Sequence, residues 1–202
     1  PAVVTNSSIS ISGQGRINTV IKDPGNPQTL YVGAPAGGIW KSTDDGVNWI
    51  PLSDHLPQIG VSGIAIDPTD SNIIYIATGD DDAGDSYSIG VMKSTDGGQT
   101  WNTTGLNYLY TNNKTTNEIF IDPTNNNHIW VASTDGLQKS EDGGDTWAIK
   151  QDGNIVDFRL HTNYDNNSII YAVGYNNNES KFYRSEDKLS LIHISEPTRQ
   201  VL

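Results

Sequence analysis

Four carboxylates fall within six residues in the stretch Gly79-Asp80-Asp81-Asp82-Ala83-Gly84-Asp85-Ser86. Oxygen ligands gathered this closely suit a hard cation such as Ca²⁺. Two carboxyl groups roughly 5–10 Å apart are also what glycosidic hydrolysis requires. The spacing departs from an EF-hand loop, because no Glu stands at its twelfth position. A solvated acidic loop is the plainer reading of such a charge run. Asp80, Asp81, Asp82 and Asp85 are therefore a candidate ligand or metal loop. Loops carried on a rigid scaffold are where binding residues concentrate. No cofactor other than a weakly indicated Ca²⁺ is expected.

A second set of Asp residues recurs in a fixed phrase, S-x-D-x-G-x-x-W. It comprises Ser42, Asp44, Gly46 and Trp49, then Ser94, Asp96, Gly98 and Trp101, then Ser140, Asp142, Gly144 and Trp147. A fourth copy begins at Arg184-Ser185-Glu186-Asp187 and breaks off. The chemistry here is that of a turn. Short Ser and Asp acceptors bond nearby backbone N–H groups. The Gly supplies a positive φ, and the Trp anchors the loop by its apolar area. These Asp residues are read as turn formers, and no residue of the chain is assigned a catalytic role. His55, His128 and His161 show no metal-ligand spacing, and no nucleotide or Ser/His/Asp signature is present.

The elements that must carry these loops follow from a repeat. Ahead of each box lies an Asp-Pro turn and an apolar strand: Asp23-Pro24 with Leu30-Tyr31-Val32, Asp67-Pro68 with Ile74-Tyr75-Ile76, and Asp122-Pro123 with Ile129-Trp130-Val131. A degraded version pairs Asn163 with Ile170-Tyr171-Ala172. The aromatics Tyr31, Tyr75, Trp130 and Tyr171 follow at intervals of 44, 55 and 41 residues. That is the period of a propeller blade. Each unit divides into four short strands, with the Asp-Pro turn between the first two and the box between the last two. The first unit places its strands near Arg16–Ile21, Leu30–Ala34, Gly38–Ser42 and Trp49–Leu52. The fourth offers three strands only. The expected fold is all-β: an arc of about 3.7 four-stranded antiparallel blades, a fragment of a larger ring. Its blades span about 14–54, 58–106, 115–151 and an incomplete 154–188.

Composition narrows the function classes. The 202 residues carry a net charge of −12, which disfavours nucleic acid, whose phosphates attract Lys and Arg. There is no cysteine, hence neither a disulfide framework nor a thiolate metal site. No run approaches the ~18 apolar residues of a membrane-spanning helix.

The boxes resemble the Asp-box (BNR-repeat) of the sialidase/sortilin/xyloglucanase-like propeller superfamily. Sialidases of that fold use an arginine cluster, whereas only Arg16, Arg159 and Arg184 precede the tail. Leu30-Tyr31-Val32-Gly33-Ala34-Pro35-Ala36-Gly37-Gly38-Ile39-Trp40-Lys41 is similar to the first blade of two-propeller xyloglucanases. In that family an Asp two residues before the Gly-Gly pair is a catalytic carboxylate; here the position is Pro35. After Asp187 the repeat gives way to a string that resembles translated sequencing-adapter DNA, so 189–202 is set aside as a non-native tail.

The chain also resembles propeller proteins that Bacteroidetes export through a C-terminal sorting domain. That resemblance implies a secreted or cell-surface location, further blades and a sorting domain. The signal peptide would lie outside this stretch. The leading expectation is a non-catalytic binding or scaffold propeller for a carbohydrate or protein ligand. The alternative is a xyloglucanase-like glycoside hydrolase acting on polysaccharide.

Overall fold

A computed structural model describes residues 15–58, 60–80, 86–162, 168–177, 179–185 and 192–193. They form four four-stranded sheets, each an antiparallel meander in sequence order. Blade one holds β1 (Thr19–Lys22), β2 (Leu30–Ala34), β3 (Gly38–Ser42) and β4 (Ile50–Pro51). Blade two holds β5 (Val61–Ile66), β6 (Ile74–Thr78), β7 (Gly90–Ser94) and β8 (Asn102–Asn107). Blade three holds β9 (Thr116–Ile121), β10 (Ile129–Ser133), β11 (Gly136–Ser140) and β12 (Ala148–Asp152). Blade four holds β13 (Asn154–Thr162), β14 (Ser168–Asn176), β15 (Glu179–Ser185) and β16 (Ile192–His193). The expected propeller arc is the fold. One difference lies in blade four, where Ile192–His193, inside the stretch set aside as tail, pairs with β15 as a fourth strand.

The blades pack in sequence with their inner strands β1, β5, β9 and β13 side by side. Strands β5 and β6 are buried along their whole length. Their apolar runs do not alternate because both faces meet a neighbouring sheet.

Among the described residues, the seams between blades are stitched at three levels, of which the bulge-level stitch recurs at all three seams. Near the Asp-Pro turns, Ser71 Oγ donates to Asp23 Oδ1, and Asn126 Nδ2 donates to Asp67 Oδ2 at 2.9 Å. At mid-blade, Lys93 Nζ and the Tyr75 hydroxyl both donate to the carbonyl of Gly143, in the next blade's box, at 3.0 and 2.8 Å. The same Lys lies 5.2 Å from the Tyr75 ring centre. Lys41 over Tyr31 and Lys139 over Trp130 repeat the pairing at 5.1 and 5.3 Å. Such stacked cations contribute by attraction to the ring's negative face.

The third stitch uses a distortion. Register shifts by one residue at Ser62 in β5, near Asn117 in β9 and at Val156 in β13. A bulge re-aims the side chain it carries. Asn18 Nδ2 donates to the Val61 carbonyl, Ser62 Oγ to that of Thr116 and Asn117 Nδ2 to that of Ile155, at 3.2, 2.5 and 2.7 Å. Each acceptor sits near the start of the next inner strand.

The meander separates two faces. Turns β1–β2 and β3–β4, with the Asp-boxes, lie on one. Turn β2–β3, the β6–β7 connection and the links between blades lie on the other. The boxes thus stand away from Asp80 and Ser86, which flank the rest of the candidate loop.

Candidate functional site

The boxes have the geometry of closed turns. In the second, Ser94 Oγ donates to Asp96 Oδ1 at 2.7 Å and accepts the Gly98 N–H at 2.8 Å. Asp96 also accepts the backbone N–H and hydroxyl of Thr100, at 2.9 and 2.6 Å. The third box repeats this with Ser140, Asp142, Gly144 and Thr146. The first substitutes Asn48 for the Thr, around Ser42, Asp44 and Gly46. Trp49 and Trp147 donate their indole N–H to the carbonyls of Gly46 and Gly144, while Trp101 reaches across the seam to Leu52. The Thr100 and Thr146 hydroxyls, then their N–H groups, hold Asp96 and Asp142 down to about 2. The Asn48 N–H, then its amide side chain, lowers Asp44 likewise. Each of these carboxylates accepts three hydrogen bonds from its own turn, which favours its charged form and suits it poorly to exchange protons with a ligand.

The opposite face is different. A cavity of about 480 Å³ opens between blades one and two. Pro35 and Ala36 reach it from turn β2–β3, Asp80 and Ser86 from the β6–β7 connection, Gln58 from the link between blades, and Tyr110 from a 3-10 turn after β8. Arg16, just ahead of β1, completes it and forms an ion pair with Asp80. Asp80 itself is buried. Its N–H donates to the Ser86 carbonyl at 2.8 Å, closing the base of the acidic loop. Gly79, at φ +98°, donates to the Gly60 carbonyl at 2.8 Å. A Cβ at Gly60 would stand 2.6 Å from the Pro35 carbonyl oxygen and 2.8 Å from Ser86 Oγ. Only glycine lets the link between blades pass between the two loops. Gln58 Nε2 donates to Ser86 Oγ and to the Tyr87 carbonyl. Tyr87 meets Tyr110 edge-on, with ring centres 5.6 Å apart and planes at 68°. Tyr110 is thereby fixed with half its surface open.

Of the candidate loop, Asp80 is thus placed; Asp81, Asp82 and Asp85 lie outside the described residues. Among the described residues no group of three or more His, Asp or Glu side chains is arranged to hold a metal ion. Asp80 is the carboxylate among the described residues lining the cavity, and Pro35 shares that lining. Trp40 turns its indole N–H to the Gly37 carbonyl at 2.6 Å, within its own hairpin.

A second polar group was missed from sequence. A groove of about 390 Å³ runs across the inner strands β1, β5 and β9, and Arg159 of β13 lines its far end. Arg159 Nη1 stands 3.3 Å from Glu118 Oε2 and 2.8 Å from Asp157 Oδ1. Burial pushes the Glu118 carboxyl up, against the pull of Arg159. Both acids sit one residue past the bulge of their inner strand. A signal was there for Asp157, which interrupts the apolar run Ile155-Val156-Asp157-Phe158, whereas Glu118 follows the polar Thr116 and Asn117 and does not stand out.

Comparison with known proteins places this geometry. A family profile described as Sortilin, neurotensin receptor 3 (Sortilin-Vps10) matches residues 37–198. A xyloglucanase of a Paenibacillus species is 28% identical over 135 residues, covering 62% of this chain and 13% of its own length. Xyloglucanase Xgh74A of Acetivibrio thermocellus is 30% identical over 134 residues, covering 61% of this chain and 16% of its own. The chain thus spans less than a fifth of the curated relatives it matches. Among solved structures, the GH74 xyloglucanase from Xanthomonas campestris superposes with a TM-score of 0.68 at 22% identity, over 96% of this chain and 32% of that one. At that identity the likeness establishes the fold. The curated relatives correct the expectation of a non-catalytic scaffold, because the proteins this chain resembles in sequence are xyloglucanases. That expectation leaned on the resemblance to exported propeller proteins, on Pro35 and on turn-forming Asp residues. With its repeated boxes, four meander blades and a profile match over most of its length, the chain belongs to the Sortilin-Vps10 family.

Proposed function

We propose that this chain is an arc of a glycoside hydrolase propeller that acts on xyloglucan or a related β-glucan, with the cavity between blades one and two as part of its substrate cleft. The observation that carries the reading is the coincidence of Asp80, Arg16 and Tyr110 around Pro35, in a chain whose curated relatives are xyloglucanases. Pro35 has no group to give or take a proton. Asp80 supplies the cavity's carboxylate instead, held in place by Arg16. A sugar ring stacks on the open face of Tyr110 by its C–H groups, and its hydroxyls donate to Asp80. Tyr is suited to this because it offers an apolar face with a polar tip. Glycosidic hydrolysis needs two carboxyl groups roughly 5–10 Å apart, so a partner acid completes the cleft.

The test has two readouts on the folded chain. Titration calorimetry with a xyloglucan oligosaccharide measures binding, and release of reducing ends from xyloglucan measures hydrolysis. Binding that Tyr110→Ala weakens about tenfold, a loss of about 1.4 kcal/mol, supports the cleft. Hydrolysis abolished by Asp80→Asn but retained in Glu118→Gln assigns the carboxylate. A folded chain that neither binds nor cleaves refutes the reading.

A further inference from the structure

The interior seam between blades two and three holds a group of buried hydroxyls that takes no part in lining the cavity. Thr78 ends β6, Ser88 precedes β7 and Thr116 opens β9, and all three are 0% exposed. The Thr116 hydroxyl donates to the Thr78 carbonyl at 2.7 Å, and the Thr78 hydroxyl to the Gly90 carbonyl at 2.6 Å. Ser88 Oγ accepts the Gly90 N–H at 2.8 Å. It stands 3.0 Å from Thr78 Oγ1 and 3.2 Å from Thr116 Oγ1, so its own proton has an acceptor within reach.

The register shows that Thr116 departs from the repeat. It lies cross-strand from Ser133, as Val61 does from Thr78 and Ile155 from Gly174. Thr116 therefore stands where blades two and four carry an apolar residue. Val61 packs with Tyr31 and Ile39 of blade one, and Ile155 with Trp130 and Leu137 of blade three. A hydroxyl buried at such a place costs free energy unless it is hydrogen-bonded. Thr116 meets that cost across the seam. Ser133, the counterpart of Thr78 in blade three, instead bonds within its own turn, to the Gly136 carbonyl at 3.0 Å.

This seam borders the long β6–β7 connection. Thr78 and Ser88 stand at its two ends, followed inward by Gly79 and Asp80 on one side and preceded by Ser86 and Tyr87 on the other. The two ends are held tightly together. The Asp80 N–H donates to the Ser86 carbonyl at 2.8 Å, and a Cβ at Gly79 would stand 2.9 Å from both Ser86 O and Ser88 N. With so little slack, a shift of Ser88 is passed on to Asp80. The Ser88 N–H also donates to the Lys114 carbonyl at 2.8 Å, in the link that leads to Thr116. The chain leading into blade three thus holds Ser88 by main chain and side chain at once.

We propose that Thr116 is the positioning residue for Asp80. From blade three it closes the stem of the β6–β7 connection, and that stem presents Asp80 to Arg16 at the cavity wall. The catalytic consequence rests on the function proposed for the cavity; the anchor itself does not.

Hydrogen exchange followed by NMR on the full chain tests the anchor. Thr116→Val keeps the branched shape and installs the residue that blade two carries at the equivalent place, so the variant is expected to fold. Its Asp80 and Ser88 N–H groups are expected to exchange about tenfold faster than in the wild type, the local opening that follows loss of one buried hydrogen bond. The Leu52 and Asp122 N–H groups, bonded within blades one and three, are expected to keep their rates. A general loss of stability would move all four. Thr116→Ser keeps the donor and is expected to restore protection. Ser88→Ala, which removes the facing hydroxyl, serves should Thr116→Val not fold. In xyloglucan hydrolysis, Thr116→Val is expected to lower kcat about tenfold with KM unchanged, and Thr116→Ser to restore kcat. Unchanged protection at Asp80 in folded Thr116→Val overturns the proposal, and so does a wild-type kcat. A wild type without hydrolysis refutes the function proposed for the cavity, and the exchange rates then decide the anchor alone.

Discussion

Ser94, Asp96 and Thr100 show how a carboxylate becomes structural. The same oxygens that would serve an acid-base reaction are consumed by a neighbouring N–H and two hydroxyls. Asp96 and Asp142 are consequently held at about 2, below the ordinary carboxylate value of 3.8. A depressed folded value means that the charged form is favoured by folding. The contribution is therefore complete above about pH 4 and is lost as pH falls through about 2. In thermal melts, the wild type is expected to lose stability over that window more steeply than the Asp96→Asn/Asp142→Asn double variant. Above pH 5 the gap between the two curves is expected to stay constant. Parallel curves through pH 2 would show that these turns do not couple to folding. Asp80 is a different kind of carboxylate, paired with a cation at a cavity wall and not enclosed in a turn.

At the scale of elements, the seams carry the fold. A lone four-stranded sheet of this length exposes apolar residues on both faces, and only a neighbour on each side removes them from water. Tyr75 illustrates the stitch: its ring is buried in blade two and its hydroxyl reaches the Gly143 carbonyl of blade three. Tyr75→Phe keeps the packing and removes the donor. It is expected to cost about 1 kcal/mol, the net worth of a typical buried hydrogen bond, read as a shift in the urea midpoint with unchanged slope. A change in slope would mean instead that the seam opens as a separate unit. The bulges matter at this scale too. They turn Ser62 and Asn117 toward the next inner strand, and they set Glu118 and Asp157 beside Arg159 at the start of the inner strands.

At the scale of the whole molecule, the meander sorts chemistry by face. Boxes and Asp-Pro turns crowd one face, where they bind one another. Cavity-forming loops occupy the other, where Arg16, Asp80 and Tyr110 come from three separate connections. The last blade tests how much of the chain the fold needs. Strand β16 contributes two residues, Ile192 and His193, paired with Arg184 and Tyr183. A chain ending at Lys188 is expected to unfold within about 3 °C of the full length, the shift that about 1 kcal/mol produces in a chain of this size. A much larger drop in the thermal midpoint would make 189–202 an integral part of blade four.

What was legible in sequence was whatever depends on local bonding. The boxes, the Asp-Pro turns and the strand period are set by residues within a few positions of each other, so Ser42, Asp44, Gly46 and Trp49 announce their turn wherever the chain goes. The all-β propeller arc followed from their repetition, while the fourth strand of blade four did not. The acidic loop was visible as a departure from that repeat, and Asp80 proved to lie at a cavity. Its partner was not visible, because Arg16 is 64 positions away and belongs to a different blade. Glu118, Asp157 and Arg159 were hidden for the same reason: adjacent blades are some forty residues apart in sequence, and a one-residue bulge decides which way each side chain points. The fate of Pro35 also needed the tertiary structure. The resemblance to xyloglucanases implies a carboxylate at that position where the sequence has Pro, whereas the fold shows Asp80 lining the same cavity. Short-range hydrogen bonding determined the blades; long-range packing decided what the blades bring together.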